Sequence, residues 1–451
     1  MSMLKEKPFL TPNDEGFVGT DDAASIQNAI DAAVKAGVNK VVIPRYNKRS
    51  DSNMWIISAT IRIPSDMTLV LDNCHLQLAQ DFVGQMITNS LAYTEDGKLI
   101  AGTQTNIRIL GKGGAILDGG LHNGQTESSF DHTLLYFHNV RDFSVEGFRV
   151  INQGDCGLCF LYCSYGKVAY IDFDAKGDAD GIVLRRGCYN LTVEDITGYT
   201  GGHVVAVAAF AGEQIDVPYS VMGHRIDVRN IIIKNIKAAS RNGSNIINLF
   251  NQDGSLLYNI LIETVSDISV PYAEKQPFSA VGIGTASVAA AERKVMYGET
   301  KNITIRNIFT HARCGVAISS TLTSSLVENL HVHDDGEYAV CVCPTSENDV
   351  TTLSNLLIKD IYYNADQKSC DGSTETKNIG SVLSFDNCEG KNIVVTDVFA
   401  KETAHLVVAT GKITMNVATV AIDQLSDVLV KTDQKAKVTL KNVKVKGEIQ
   451  K

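Results

Sequence analysis

Six stretches of this chain share one frame, an alternating apolar run followed by Asn or Asp and another apolar pair. They are "NLTVEDI", "NIIIKNI", "NITIRNI", "NLLIKDI", "NIVVTDV" and "KVTLKNV". Second apolar runs lie between them, among them "DGIVL", "HVVAVAA", "NIINLF", "GVAISS", "YAVCVC" and "HLVVAT", so each repeat holds at least two strands. Successive frames are roughly 20 to 45 residues apart, the spacing of stacked solenoid units. Runs this short and this rich in Val, Ile and Leu are strands, and a coil-by-coil repeat pairs each strand with its equivalent in the next coil. The pattern predicts an all-β chain, a single-stranded right-handed parallel β-helix. Its coils are expected over about 60–447, with the whole chain as one domain.

Asp195, Asn235, Asn307, Asp360, Asp397 and Asn442 fall where each alternating run must turn. Asn and Asp tolerate a left-handed backbone, which assigns these residues to corners rather than to chemistry. One helix is clear in "TDDAASIQNAIDAAVKAG", inside a cap region over about 15–40. Thr20 is expected as its N-cap and Gly37 as its stop, with Ile26, Ile30, Ala33 and Val34 on one face. Placed ahead of the first coil, such a helix would cover exposed strand edges.

With 44% hydrophobic and 20% charged residues in 451, the chain has ample material for a core and is not a disordered polymer. The net charge of −10, with both signs interspersed, argues against a nucleic-acid groove, which needs clustered Lys and Arg. No run approaches the ~18 apolar residues of a membrane span, and the opening "MSMLKEKPFLTPNDEG" has no apolar segment behind its lysines. The expectation is a cytoplasmic protein, or a secreted one if a leader was trimmed. The 10 cysteines are scattered. Cys156 and Cys159 form a CxxC pair in "DCGLCFLYC", but Cys159 and Cys163 sit among apolar neighbours and no second pair completes a zinc site, so buried free thiols are expected. "HVHDDGE" groups His331, His333, Asp334 and Asp335 but runs from a strand into a turn. No metal or other cofactor is expected.

The segment "GGAILDGG", with "GFRVINQGDCGLCFLYCSYGKVAYIDF" and "DADGIVLRRGCYNLTVEDITGYTGGHVVAVAA", resembles the polygalacturonase-type glycoside hydrolases of the pectate-lyase-like β-helix superfamily. The scaffold likeness covers nearly the whole chain, and the motif likeness runs from Gly114 to about Phe250. The resemblance implies a hydrolase of glycosidic bonds. Asp180 and Gly181 match the Asp-Gly of the family's Asn-Thr-Asp-Gly motif, with Asp178 in place of its Asn. One coil later the chain departs, since "TGGHVVA" puts Gly202 and His203 where the family has two adjacent aspartates.

An inverting glycosidase needs one carboxylic acid to protonate the leaving oxygen and one carboxylate to activate water. Without the adjacent pair, the acid/base set expected here is Asp178 and Asp180, two apart at a strand start and therefore on one face, with His203 about 5 Å away on the neighbouring coil. Close carboxylates raise one another's pKa, and an imidazole transfers protons near neutral pH. Asp155 would flank the cleft from the preceding coil. Arg241, Asn248, Asn251 and Asp253 would come from the following one, suited to sugar hydroxyls or a carboxylate. No tyrosine of the region is singled out as a subsite. The leading expectation is an enzyme cleaving or transferring a glycosidic bond in an oligosaccharide, which could be a homo-oligomer in which a neighbouring subunit completes the site. A lyase or epimerase acting on uronates, and a sugar-binding solenoid without turnover, are the alternatives.

Overall fold

The computed structural model describes residues 7–449 except 93–101, 123–132, 176, 210–226, 252–253, 272, 274, 285–294, 335, 344–349 and 366–379. The chain forms two compact units, Met1–Gly201 with Ala211–Ile226, and Gly202–Phe210 with Asp227–Lys451. Each unit is a parallel β-helix. In the first, one ladder climbs through Lys40–Pro44, Thr68–Asp72, Gln104–Lys112, Val140–Glu146, Ser164–Asp174 and Tyr189–Thr200. A second climbs through Ile61–Ile63, Ile87–Asn89, Leu135–His138, Cys156–Leu161 and Asp180–Arg185. The second unit repeats the arrangement, from Val228–Ser240 to Lys437–Val445 in one ladder and from Val205–Ala209 to Val430–Thr432 in the other.

Period-two alternation and exact stacking build the cores. Ile109, Val145, Val168 and Val193 are register partners in successive coils of the first unit and are all buried. Ile231, Ile260 and Ile303 do the same in the second. Each such side chain contributes about 1.5–3 kcal/mol of burial, so the solenoid gains stability in proportion to its coils.

All six predicted corner residues are left-handed, with φ of 56° at Asp195, 56° at Asn235, 59° at Asn307, 56° at Asp360, 58° at Asp397 and 54° at Asn442. The first Asn of five frames is left-handed as well, namely Asn190, Asn230, Asn302, Asn355 and Asn392. Each of these frames is thus bracketed by two corners five residues apart. The amides also form ladders, in which Asn302 Nδ2 donates to Asn259 Oδ1 and Asn259 Nδ2 to Asn230 Oδ1, both at 3.1 Å. Other residues take such corners as well, with Tyr162, Tyr165 and Tyr170 left-handed in the first unit and Thr264, Ser324 and Thr419 in the second.

The helix spans Asp22–Ala36 and ends at Gly37, whose φ of 69° is left-handed, as expected. Its N-cap is Asp21 rather than Thr20, because the Asp21 carboxylate accepts the Ala24 N–H at 2.7 Å. The buried face carries Ile26, Ala29, Ile30 and Ala33, while Val34 is 54% exposed, one position too far round the turn. The helix satisfies the free edge it covers. The fully buried Asp22 carboxylate accepts from Arg49 Nε at 2.6 Å and Ile56 N at 2.8 Å, and Gln27 Oε1 accepts from Arg62 N at 2.9 Å. At the other end of the chain the last strand folds back antiparallel, Lys444 opposite Ile449, through left-handed Lys446 and Gly447.

Candidate functional site

The strand Asp180–Arg185 begins at the aspartate of "DADG". Cys156 is its register partner, and the Asp180 N–H donates to the Asp155 carbonyl at 3.1 Å. Asp155 and Asp180 therefore open neighbouring coils of the first unit, and both are half-buried. Asp178 is exposed in the bend ahead of the strand, so strand alternation does not set its direction. Beside this strand start, Gln153 is fully buried and its Nε2 donates to the Asp180 carbonyl at 3.4 Å. Its Oε1 is buried with no hydrogen-bond partner among the described residues. A buried acceptor in that state favours a donor such as water or a protonated carboxyl.

Two other motif residues are architectural. Gly201 of "TGG" has no room for a side chain, since a Cβ there would stand 1.5 Å from the Gly177 carbonyl oxygen. Asp118 of "LDGG" is 4% exposed and accepts from Gly120 N at 2.7 Å and Asn152 Nδ2 at 3.0 Å, with His75 Nε2 at 2.8 Å. Burial opposes its charge, but the hydrogen bonds from His75, Asn152 and Gly120 prevail and hold the carboxyl below the usual carboxylate range. Its three partners come from three different coils, so this aspartate staples the stack.

The other predicted residues lie in the second unit. His203 is half-buried, two residues before the strand Val205–Ala209. Arg241 is half-buried in the bend after Val228–Ser240. Asn248 is buried, and its Oδ1 accepts from Asn245 Nδ2 at 3.0 Å, while Asn245 Oδ1 accepts from Ser279 Oγ at 2.7 Å. The register partner of Asn248 is Gly282, where a Cβ would collide with both amides, so the glycine makes room for this polar pair. Asn251 is 2% exposed and its amide is engaged internally, donating to Ser255 O and accepting from Thr300 Oγ1 at 2.8 Å. Asp253 lies outside the described residues.

Sequence reasoning missed a basic and aromatic cluster at the far end of the Asp180 strand. Arg186 is 6% exposed, and burial lowers its guanidinium pKa against the raising influence of Tyr162. The buried His138 ring meets Tyr162 edge-on at 5.7 Å. On the outer surface of the same unit, Arg141 lies 4.8 Å over the Tyr165 ring and Lys167 5.4 Å over Tyr170. The available signal was the "RR" closing an apolar run, which a polar interior partner alone explains.

No family model and no curated protein matches this chain. Solved structures do resemble it. The surface protein and adhesin PfbA of Streptococcus pneumoniae has a TM-score of 0.51 at 14% identity, covering 96% of this chain and 100% of that one. A hyperthermoactive exopolygalacturonase from Thermotoga maritima has a TM-score of 0.47 at 14% identity, covering 98% and 92%. The tailspike protein of E. coli bacteriophage HK620 has a TM-score of 0.48 at 12% identity, covering 99% and 79%. At 14% identity the likeness to PfbA shows the fold alone, and no helix among the described residues is long and apolar enough to cross a membrane.

Proposed function

We propose that this protein acts on carbohydrate, cleaving or transferring a glycosidic bond in a short oligosaccharide by acid/base catalysis at the start of the Asp180–Arg185 strand. The observation that carries the reading is the pair Asp155 and Asp180, half-buried and joined by the 3.1 Å backbone bond between adjacent coils. Two carboxyl groups opening neighbouring coils are the residue types glycoside hydrolysis calls for, one to donate a proton and the other to activate water. Asp180 is the proposed acid or base, with Asp178, two positions ahead of it, as a further proton-transfer group.

A second reading is favoured by one specific observation. Gly202 and His203 stand where the resembled motif has its aspartates, which fits a solenoid that binds sugar without turning it over. Turnover and binding of an oligosaccharide panel by wild type and Asp180→Asn separates the two. Turnover lost with binding kept supports the enzyme. Binding without turnover in wild type supports the module, and full activity in the variant removes Asp180 from the chemistry.

A further inference from the structure

We propose that Cys343, Cys341 and Cys314 form a thiol relay that ends in a disulfide between Cys314 and Cys341. The three sulfurs lie in a row in the second unit, with Cys341 Sγ 4.0 Å from Cys343 Sγ and 3.0 Å from Cys314 Sγ. Their burial is graded in the same order. Cys343 is partly exposed, Cys341 is 4% exposed and Cys314 is 2% exposed. Cys314 opens the strand Cys314–Ile318, and Cys341 sits in Tyr338–Val342, which pairs with it in parallel. Cys343 follows directly, its N–H donating to the Ile318 carbonyl at 2.9 Å. Ala317, Phe278 and Tyr338 pack around the sulfurs and keep water from the inner pair.

Among the other thiols, Cys156 meets Thr133 Oγ1 at 3.4 Å and the single sulfur of Cys159, while three are turned to backbone carbonyls. Cys163 donates to Phe137 and Leu161, Cys188 to Phe160 and Cys388 to Thr410. Cys341 instead faces two sulfurs. Its hydrogen bond to Cys314, with burial, pushes its thiol well above the ordinary value, and Cys341 with burial pushes Cys343 up as well. Attack is therefore slow and starts from the one sulfur that solvent reaches.

The oxidant required is a small disulfide such as oxidised glutathione. Cys343 loses its proton and attacks one sulfur of that disulfide, giving a mixed disulfide and releasing one small thiol, which takes up the proton. Cys341 attacks the Cys343 sulfur and the second small thiol leaves with the Cys341 proton. Cys314 then attacks Cys341, and Cys343 departs and recovers a proton from Cys314. In sum two protein thiols lose two electrons, one S–S bond forms in the protein, and one small disulfide becomes two thiols. The register sets Cys314 opposite Tyr338 and Cys341 opposite Ala317, three positions apart. Closing the sulfurs from 3.0 Å to about 2.05 Å therefore also requires the strand start at Cys314 to shift toward Cys341.

The test incubates the reduced, folded full chain with oxidised glutathione, blocks free thiols, and maps linkages after cleavage at glutamate. Glu328 and Glu337 separate Cys314 from Cys341 and Cys343. The expected product is a Cys314–Cys341 linkage with Cys343 blocked as a free thiol, and a higher melting temperature than the reduced chain. Cys343→Ser should form the same linkage at least about tenfold more slowly, and Cys314→Ser should stop at Cys341–Cys343 or the glutathione adduct. Wild-type chain that stays fully reduced at the three positions, or links them to other cysteines, overturns the proposal without reference to any variant. Wild-type speed in a folded Cys343→Ser overturns the order of the relay.

Discussion

A Cβ added to Gly201 would stand 1.5 Å from the carbonyl oxygen of Gly177 and 3.0 Å from the Ala179 nitrogen. The backbone at Gly201 is therefore the surface on which the turn of Gly177 and Ala179 is laid, and the placement of Asp178 and Asp180 depends on a residue with no side chain.

Gly201→Ala should displace that turn. The contact is with backbone, which has no rotamer to yield, so a loss of stability of about 1–3 kcal/mol is expected together with a fall in any turnover. Gly102→Ala is the control, because its only close neighbour among the described residues is a methyl of Leu91 at 3.2 Å, the end of a flexible side chain. Thermal melts of both variants check this, and equal melting temperatures would contradict it.

Asp180→Asn removes charge while keeping shape, and should abolish turnover of a sugar the wild type cleaves. Asp155→Asn should reduce it about 10²- to 10⁴-fold, the usual loss of a general acid or base. Asp178→Asn should shift the pH of half-maximal rate more than the maximum, as expected for an exposed neighbour. Steady-state rates across pH, on folded variants, read all three.

Asp118 gives a stability term with a definite sign. Its carboxyl is held below the ordinary value in the folded chain, so the unfolded chain binds its proton more readily as pH falls. The stabilisation is complete above the unfolded value of about 4 and is lost as pH drops through the lower folded value. Asp118→Asn should therefore melt lower than wild type at neutral pH, by about 1–3 kcal/mol for the disrupted buried bonds, and the gap should narrow in acid. Melting temperatures of the pair between neutral pH and strong acid test this, and a gap that widens in acid would refute it.

Asn259 combines a left-handed φ of 56° with the centre of the Asn230–Asn259–Asn302 amide ladder. Asn259→Ala loses both and should cost about 1–2 kcal/mol. Asn259→Gly keeps the backbone at ease and loses only the amide, so it should be the milder change. Equal denaturant midpoints for the two variants would show that the ladder, not the corner, sets the cost, and a milder Ala variant would refute the role of the corner.

The strands, the corners and the helix stop were legible in the sequence because each depends on neighbouring residues. Period-two alternation, the tolerance of Asn and Asp for left-handed φ, and Gly37 as a helix stop all act within a few positions, and the structure has each where the frame put it. What the stacked coils decided is which of these residues meet. Asp118 finds His75 and Asn152, 43 and 34 positions away, and Cys314 finds Cys341 across 27, through coils whose lengths vary with their insertions. No local pattern fixes such separations. The helix N-cap and the exposure of Val34 were settled in the same way, by carboxylate geometry and by the face the first coil covers. Of the candidate site, the sequence marked Asp180 and its motif, while the pairing with Asp155, the buried Gln153 and the close approach of Gly201 to Gly177 arise only when one coil is laid on another.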